Sequence, residues 1–146
     1  VVAALLLRRK DVSIIMVGDH LCQLLEVGWE KEKRVILKSG KIPIGKTLSL
    51  LPHCDVVVGP ETGVLNAASM LPNHKCVFLS HSSNENLTKH WKNTTAFEPE
   101  DCPCFPCHKL HFGFSTCNRD EESGGALCAA NIKPDRVVTD IMRNLK

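Results

Sequence analysis

Asp55-Val56-Val57-Val58-Gly59-Pro60-Glu61-Thr62-Gly63 passes from an unbroken apolar run into a turn with two glycines and a hydroxyl residue. A short continuous run of β-branched residues is the pattern of a strand buried on both faces, as in a parallel sheet. The residues that follow, Thr62 to Leu71, place Val64, Leu65, Ala67, Ala68 and Leu71 on one helical face. Lys75-Cys76-Val77-Phe78-Leu79-Ser80 then supplies another buried strand. Strand, helix and strand in this order make a βαβ unit.

Working outward, the same alternation continues. Upstream, Val12-Ser13-Ile14-Ile15-Met16-Val17 predicts a strand ending in Gly18-Asp19, and Leu21, Leu24 and Leu25 predict a helix over His20 to Val27 stopped by Gly28. Arg34-Val35-Ile36-Leu37 is a further strand, and Lys46 to Pro52 a short helix. Downstream, Asn84 to Trp91 is a weak helix signal and Thr94 to Phe97 a short strand. Pro134 sits where a helix begins, and Val137, Val138, Ile141, Met142 and Leu145 line one face to the end. Strands alternating with helices imply a parallel sheet with right-handed crossovers. The expected class is therefore α/β, a Rossmann-like parallel sheet with helices on both faces. Residues 1–100 form the expected core, 101–133 a Cys-rich loop packed on it, and 134–146 a closing helix.

Composition bounds the function. The 146 residues, 16.1 kDa, suit one core of ordinary size. Lys and Arg number 18 against 16 Asp and Glu, a net charge of +2, too near neutral for a dedicated nucleic-acid binder. Five Phe, two Trp and no Tyr give no stacking platform for bases. No apolar run reaches the roughly 18 residues of a membrane span. The opening Val1 to Lys10 is amphipathic, lacks an N-cap, and puts its basic residues after its apolar ones, the reverse of a secretory signal. It reads as a helix cut in its middle, so the chain is expected to be the C-terminal piece of a longer protein.

Ligands of open α/β sheets bind at the carboxyl ends of the strands. Of those ends, Gly59 to Gly63 is the most distinctive. Backbone N–H groups at the start of the Thr62 helix would face an anion, Gly63 would permit its close approach, and Thr62 could donate its hydroxyl. The alternative is a plain strand-to-helix turn with Thr62 as N-cap.

Asp55 to Pro99 resembles the C-terminal domain of glycosyltransferase family nine, the ADP-heptose:lipopolysaccharide heptosyltransferases. That family carries an apolar strand followed by D-[ST]-G-x-x-H-x-A-A; this chain has Glu61-Thr62-Gly63-Val64-Leu65-Asn66-Ala67-Ala68. Val17-Gly18-Asp19, Lys41-Ile42-Pro43-Ile44, Cys104-Phe105-Pro106-Cys107, Cys128 and Ile132 to Val137 are also family-like. The resemblance implies the C-terminal half of a GT-B fold and a donor site for a nucleotide-diphosphate sugar of the ADP-heptose kind. It implies transfer to a saccharide or lipopolysaccharide-type acceptor, with an N-terminal acceptor domain supplying the base. By position, Thr62, Gly63 and Val64 would cradle the diphosphate, Ile42 would flank the base, and Glu61, Asn66 and Gly18 would border the ligand. Transfer of this kind needs no metal cofactor, because amides stabilise the leaving group. Two departures stand out: Glu61 replaces the family's Asp, and Asn66, which cannot carry a positive charge, replaces its His. The rivals are another GT-B-like nucleotide-sugar enzyme such as an epimerase, and a non-catalytic, zinc-stabilised nucleotide-binding module. A cytoplasmic location follows from the resemblance, with Arg8-Arg9-Lys10 either docking a membrane surface beside a lipid-linked acceptor or forming a simple charge cluster.

Five of the eight cysteines fall between Cys102 and Cys128. Cys104, Cys107, Cys117 and Cys128 could form a structural zinc site, the Cys-x-x-Cys pair being of knuckle spacing and the second pair widely separated. Disulfides and reduced thiols packing a loop are the alternatives. His108 and His111 lie nearby. Cys22, Cys54 and Cys76 sit in apolar stretches and read as core. His81-Ser82-Ser83 reads as a polar turn on the ligand side, and Lys31 to Arg34 as a solvated loop.

Overall fold

A computed structural model describes residues 1–109 and 117–146. The chain is α/β, its strands are parallel, and they form two small sheets rather than one. It falls into two compact units, Val1–Leu51 and Pro52–Lys146.

The first unit contains α1 (Val2–Leu6), β1 (Ile14–Met16), β2 (Val35–Leu37) and α2 (Ile44–Leu50). β1 and β2 pair in parallel with Ile15 opposite Ile36. Leu6, Val12, Val35 and Leu51 are buried, whereas Ile15 and Ile36 are exposed, so these strands have one covered face where the sequence predicted two. The predicted helix over His20 to Val27 is a 3-10 turn, Leu21–Glu26, and its leucines point outward: Leu21, Leu24 and Leu25 are 71%, 78% and 71% exposed. The reason is local. Asp19 accepts hydrogen bonds from the Leu21 and Cys22 amides and tightens the first turn. Glu26 is instead the buried residue, accepting from the Ser39 amide at 2.7 Å and the Lys41 ammonium at 3.3 Å.

The second unit holds β3 (Val56–Pro60), α3 (Gly63–Ala68), β4 (His74–Phe78), β5 (Thr94–Phe97), α4 (Leu127–Ala130) and α5 (Pro134–Asn144). The sheet order is β3-β4-β5, all parallel, with Val58 opposite Cys76 and Cys76 opposite Thr95. β4 is thus the central strand, and Cys76, Val77 and Leu79 are fully buried. The α3 crossover packs through Leu65 and Ala68. It lies so close to β3 that a Cβ on Gly59 would stand 2.9 Å from Leu65 Cδ2, which is why a glycine ends the apolar run there. α3 is shorter than predicted, stopping at Ala68 as the chain turns through Ser69, whose hydroxyl donates to the Asn66 carbonyl. Lys75 is buried beneath it and donates to the Leu71 carbonyl at 2.9 Å; burial pulls its ammonium pKa down.

Asn84 to Trp91 forms successive turns rather than a helix, held by Thr88 Oγ1 donating to Asn84 Oδ1 at 2.6 Å. β5 spans the four residues predicted for it. α5 begins at Pro134 as its fixed φ favours, and Val137 and Ile141 bury its apolar stripe.

Candidate functional site

The three parallel strands of the second unit end together at Pro60, Phe78 and Phe97, and the loops that follow form its carboxyl edge. Glu61 organises this edge. Its side chain is 3% exposed, although it occupies a loop. One carboxylate oxygen accepts from the Ser80 amide (3.0 Å), the Ser80 hydroxyl (2.8 Å) and the His81 amide (3.1 Å). The other accepts from the Ser82 amide at 2.8 Å. The His81 imidazole adds its Nδ1 at 2.7 Å from Oε2. A buried carboxylate requires this many donors to offset lost hydration. Glu61 therefore ties the β3 loop to the β4 loop. The β4 loop is tied onward to the end of β5, where Glu98 accepts from the Asn84 amide at 2.8 Å.

Thr62 and Gly63 adjoin this tie and face outward. Thr62 is extended, with its hydroxyl making no capping bond to α3. A Cβ on Gly63 would meet nothing within 4 Å, so no packing demands a glycine there. Val64 follows in the first turn of α3, whose leading amides have no intrahelical acceptor. Asn66 turns back on its own helix and donates from Nδ2 to the Thr62 carbonyl at 3.1 Å. Thus the second unit brings together Glu61, Thr62, Gly63, Val64 and Asn66. Gly18 and Ile42 belong to the first unit. Gly18 has a packing reason of its own: a Cβ there would lie 2.5 Å from Cys22 Sγ. Ile42 is half-buried before α2.

At the opposite, amino-terminal edge lies a set the sequence reading did not single out. His74 Nε2 lies 2.6 Å from Asp140 Oδ2, Cys76 Sγ donates to the same oxygen at 3.1 Å, and Thr95 Oγ1 donates to Oδ1 at 3.0 Å. The His74, Cys76 and Asp140 ligand atoms lie within 4.8 Å of one another, a grouping compatible with a structural metal. Burial pushes the Asp140 carboxyl up, but the hydrogen bonds from His74, Cys76 and Thr95 outweigh it and hold the pKa below its ordinary value. Burial, reinforced by Asp140, pushes the Cys76 thiol far up. These groups satisfy one another and fasten α5 to the sheet. Their signal was available: His74 and Cys76 are two apart on a strand and so share a face. A cleft of about 250 Å³ opens at this edge, lined in part by Asp55, Asn73, His74, Asn93 and Asn144.

The clustered cysteines are all free thiols of intermediate burial. Cys102 and Cys104 sulfurs are 3.6 Å apart. Burial, then the Cys104 hydrogen bond and charge, then the Cys128 charge, push Cys102 up to about 11. Cys128 is likewise raised, by burial first and by the charges of Cys104, Cys117 and Cys107. His111 lies outside the described residues. No helix among the described residues is long and apolar enough to cross a membrane.

Comparison with family models, with curated proteins and with solved structures found no match to this chain.

Proposed function

We propose that the carboxyl edge of the second unit binds the diphosphate of a nucleotide sugar, and that the intact protein transfers the sugar to a saccharide or lipid-linked acceptor. The observation that carries this reading is the Glu61 tie. It holds the β3 and β4 loops side by side at the sheet edge where α/β ligands bind, with Thr62 and Gly63 open beside it. The Gly63 and Val64 amides and the Thr62 hydroxyl hold phosphate oxygens, the Thr62 amide itself donating to the Pro60 carbonyl at 2.8 Å, and the sugar lies toward His81 to Ser83. The Rossmann-like and GT-B character is proposed with it, as is a cytoplasmic location. The general base comes from outside this chain. Transfer proceeds without a metal at the diphosphate, and any structural zinc serves the fold.

Calorimetric titration of the intact protein with ADP and UDP sugars tests the reading. Binding is expected, and Gly63→Val is expected to weaken it tenfold or more, equivalent to about 1.4 kcal/mol. Because the space at Gly63 is empty, the variant should fold normally, so a loss reports the ligand and not the fold. No binding by wild type, or equal binding by Gly63→Val, overturns the proposal. A second reading, a binding module without chemistry, is favoured by Asn66, whose amide is engaged with the Thr62 carbonyl. Product analysis after incubation with donor and acceptor separates transfer, epimerisation and binding alone.

A further inference from the structure

We propose that His74, Cys76 and Asp140 bind one zinc ion at the amino-terminal edge of the second unit's sheet, with water from an adjoining cleft as its fourth ligand. Regular elements aim these donors at one point. His74 and Cys76 alternate with Lys75 on the central strand β4 and so share one of its faces. Asp140 stands on α5, one position before the buried Ile141 that helps seat this helix against the sheet. Among the described residues this is the grouping whose ligand atoms lie within reach of a single ion, all within 4.8 Å of one another. The set expected from the sequence, Cys104, Cys107, Cys117 and Cys128, is not brought together in this way. In the Cys102–Cys107 arm the sulfurs in contact are those of Cys102 and Cys104, at 3.6 Å.

The donor set suits zinc, which takes imidazole nitrogen, thiolate sulfur and carboxylate oxygen together. Asp140 is already oriented for it. Its Oδ2 faces both His74 Nε2 at 2.6 Å and Cys76 Sγ at 3.1 Å, while its Oδ1 accepts from Thr95 Oγ1 at 3.0 Å. When Oδ2 takes the metal, Thr95 keeps Oδ1 and fixes the carboxylate, the outer support that ligating groups use. Zinc at about 2.0–2.3 Å from each donor sets neighbouring donors roughly 3.2–3.7 Å apart, so His74 and Asp140 must part by less than about 1 Å. Both side chains reach the surface, at 13% and 20% exposure, and have room to do so. The Cys76 thiol proton leaves to solvent and His74 presents an unprotonated Nε2. One thiolate and one carboxylate then balance the dication, so the buried site carries no net charge. The ion has a way in although Cys76 is fully buried: His74 lines the cleft of about 250 Å³, and Thr95 and Asp140 line another of about 380 Å³. Zinc binding does not depend on the nucleotide proposal, since the site lies at the opposite edge and is measured without any nucleotide.

The test is metal analysis of the intact protein, purified with a non-chelating reductant, stripped of metal and reconstituted with zinc alone. About one zinc per chain is expected. X-ray absorption at the zinc edge of wild type should show about one sulfur near 2.3 Å and about three nitrogen or oxygen neighbours near 2.0–2.2 Å, a readout that needs no variant to fold. His74→Ala and Asp140→Asn should drop below about half an equivalent, while Cys107→Ser and Cys128→Ser keep full loading. Zinc should raise the unfolding midpoint of wild type and leave that of His74→Ala unchanged. Less than about half an equivalent in wild type overturns the proposal. So does an absorption spectrum with several sulfur neighbours, or full loading in both His74→Ala and Asp140→Asn. Loss in Cys107→Ser with retention in His74→Ala moves the metal to the clustered cysteines and overturns it equally.

Discussion

Replacing Glu61 should unfasten the two loops it joins, and the cost follows from its partners. The carboxylate is nearly inaccessible and accepts four hydrogen bonds, from the Ser80 amide and hydroxyl and from the His81 and Ser82 amides. A hydrogen bond to a charged group contributes about 1.5–3 kcal/mol net, but four such values do not add, because the loop relaxes and admits water. Removing one side of a buried charged network costs about 3–5 kcal/mol, and that range is expected for Glu61→Ala. Glu61→Gln keeps one acceptor oxygen and turns an NH₂ toward the donors, so a loss of about 1–3 kcal/mol is expected. Against a total stability of roughly 5–15 kcal/mol the alanine variant loses a large share. The assay is urea unfolding followed by Trp91, which lies in the second unit, in a background where Trp29 is replaced by Phe. Hydrogen exchange should show the Ser80, His81 and Ser82 amides protected in wild type and exposed in both variants. An alanine variant within about 0.5 kcal/mol of wild type, with those amides still protected, refutes the reasoning.

Two further outcomes follow from the second unit. The Asp140 pKa is lowered in the folded protein, so its contribution is fully present above the unfolded carboxyl value near about 3.9 and is lost as pH falls through the folded value. Stability measured by denaturant titration should therefore fall across that acid window in wild type, and Asp140→Asn should be less stable at neutral pH but flatter there; an unchanged slope would contradict it. Gly59→Ala places a methyl 2.9 Å from the buried Leu65 side chain, so a loss of about 1–3 kcal/mol is expected in thermal or urea unfolding, and a neutral result would show that α3 shifts freely.

What the sequence could show and what it could not divide along physical lines. Continuous β-branched runs such as Val56-Val57-Val58 and a proline-started apolar stripe over Pro134–Asn144 carry their own structural signal, and both elements are present. The leucines of Leu21–Glu26 carried a helical signal just as strong, yet the Asp19 side chain competes for the first amides, and the buried residue is a glutamate. Periodicity cannot register that competition. Nor can it see how strands group: five parallel strands were readable one by one, but their division into sheets of two and three rests on contacts distant in sequence. At the site, the loop at Glu61–Gly63 was readable as a turn of interest. Glu61's burial was not, because it depends on donors some twenty residues away, at Ser80 to Ser82. The Asp140 set shares that property, with partners 66, 64 and 45 residues distant.

The burial of Glu61 changes how an anion could be held at this edge. α3 has only six residues, so its dipole is small, and the leading amides offered by Gly63 and Val64 are few, that of Thr62 being held by the Pro60 carbonyl. The neighbouring amides of Ser80, His81 and Ser82 would make a concave donor surface, but they already serve the Glu61 carboxylate. A diphosphate placed here adds negative charge beside a buried negative charge, an unfavourable interaction that falls only slowly with distance at low dielectric. The His81 imidazole stands at the same place, its Nδ1 2.7 Å from Glu61 Oε2. His81 is also the residue whose carbonyl holds the His108 amide at the end of the cysteine arm. The residue that the sequence reads as part of a polar turn thus joins the Glu61 tie through its imidazole and the cysteine arm through its carbonyl, beside the proposed ligand edge. Under the proposed reading, donor binding at this edge is therefore expected to respond to His81→Ala as well as to Gly63→Val.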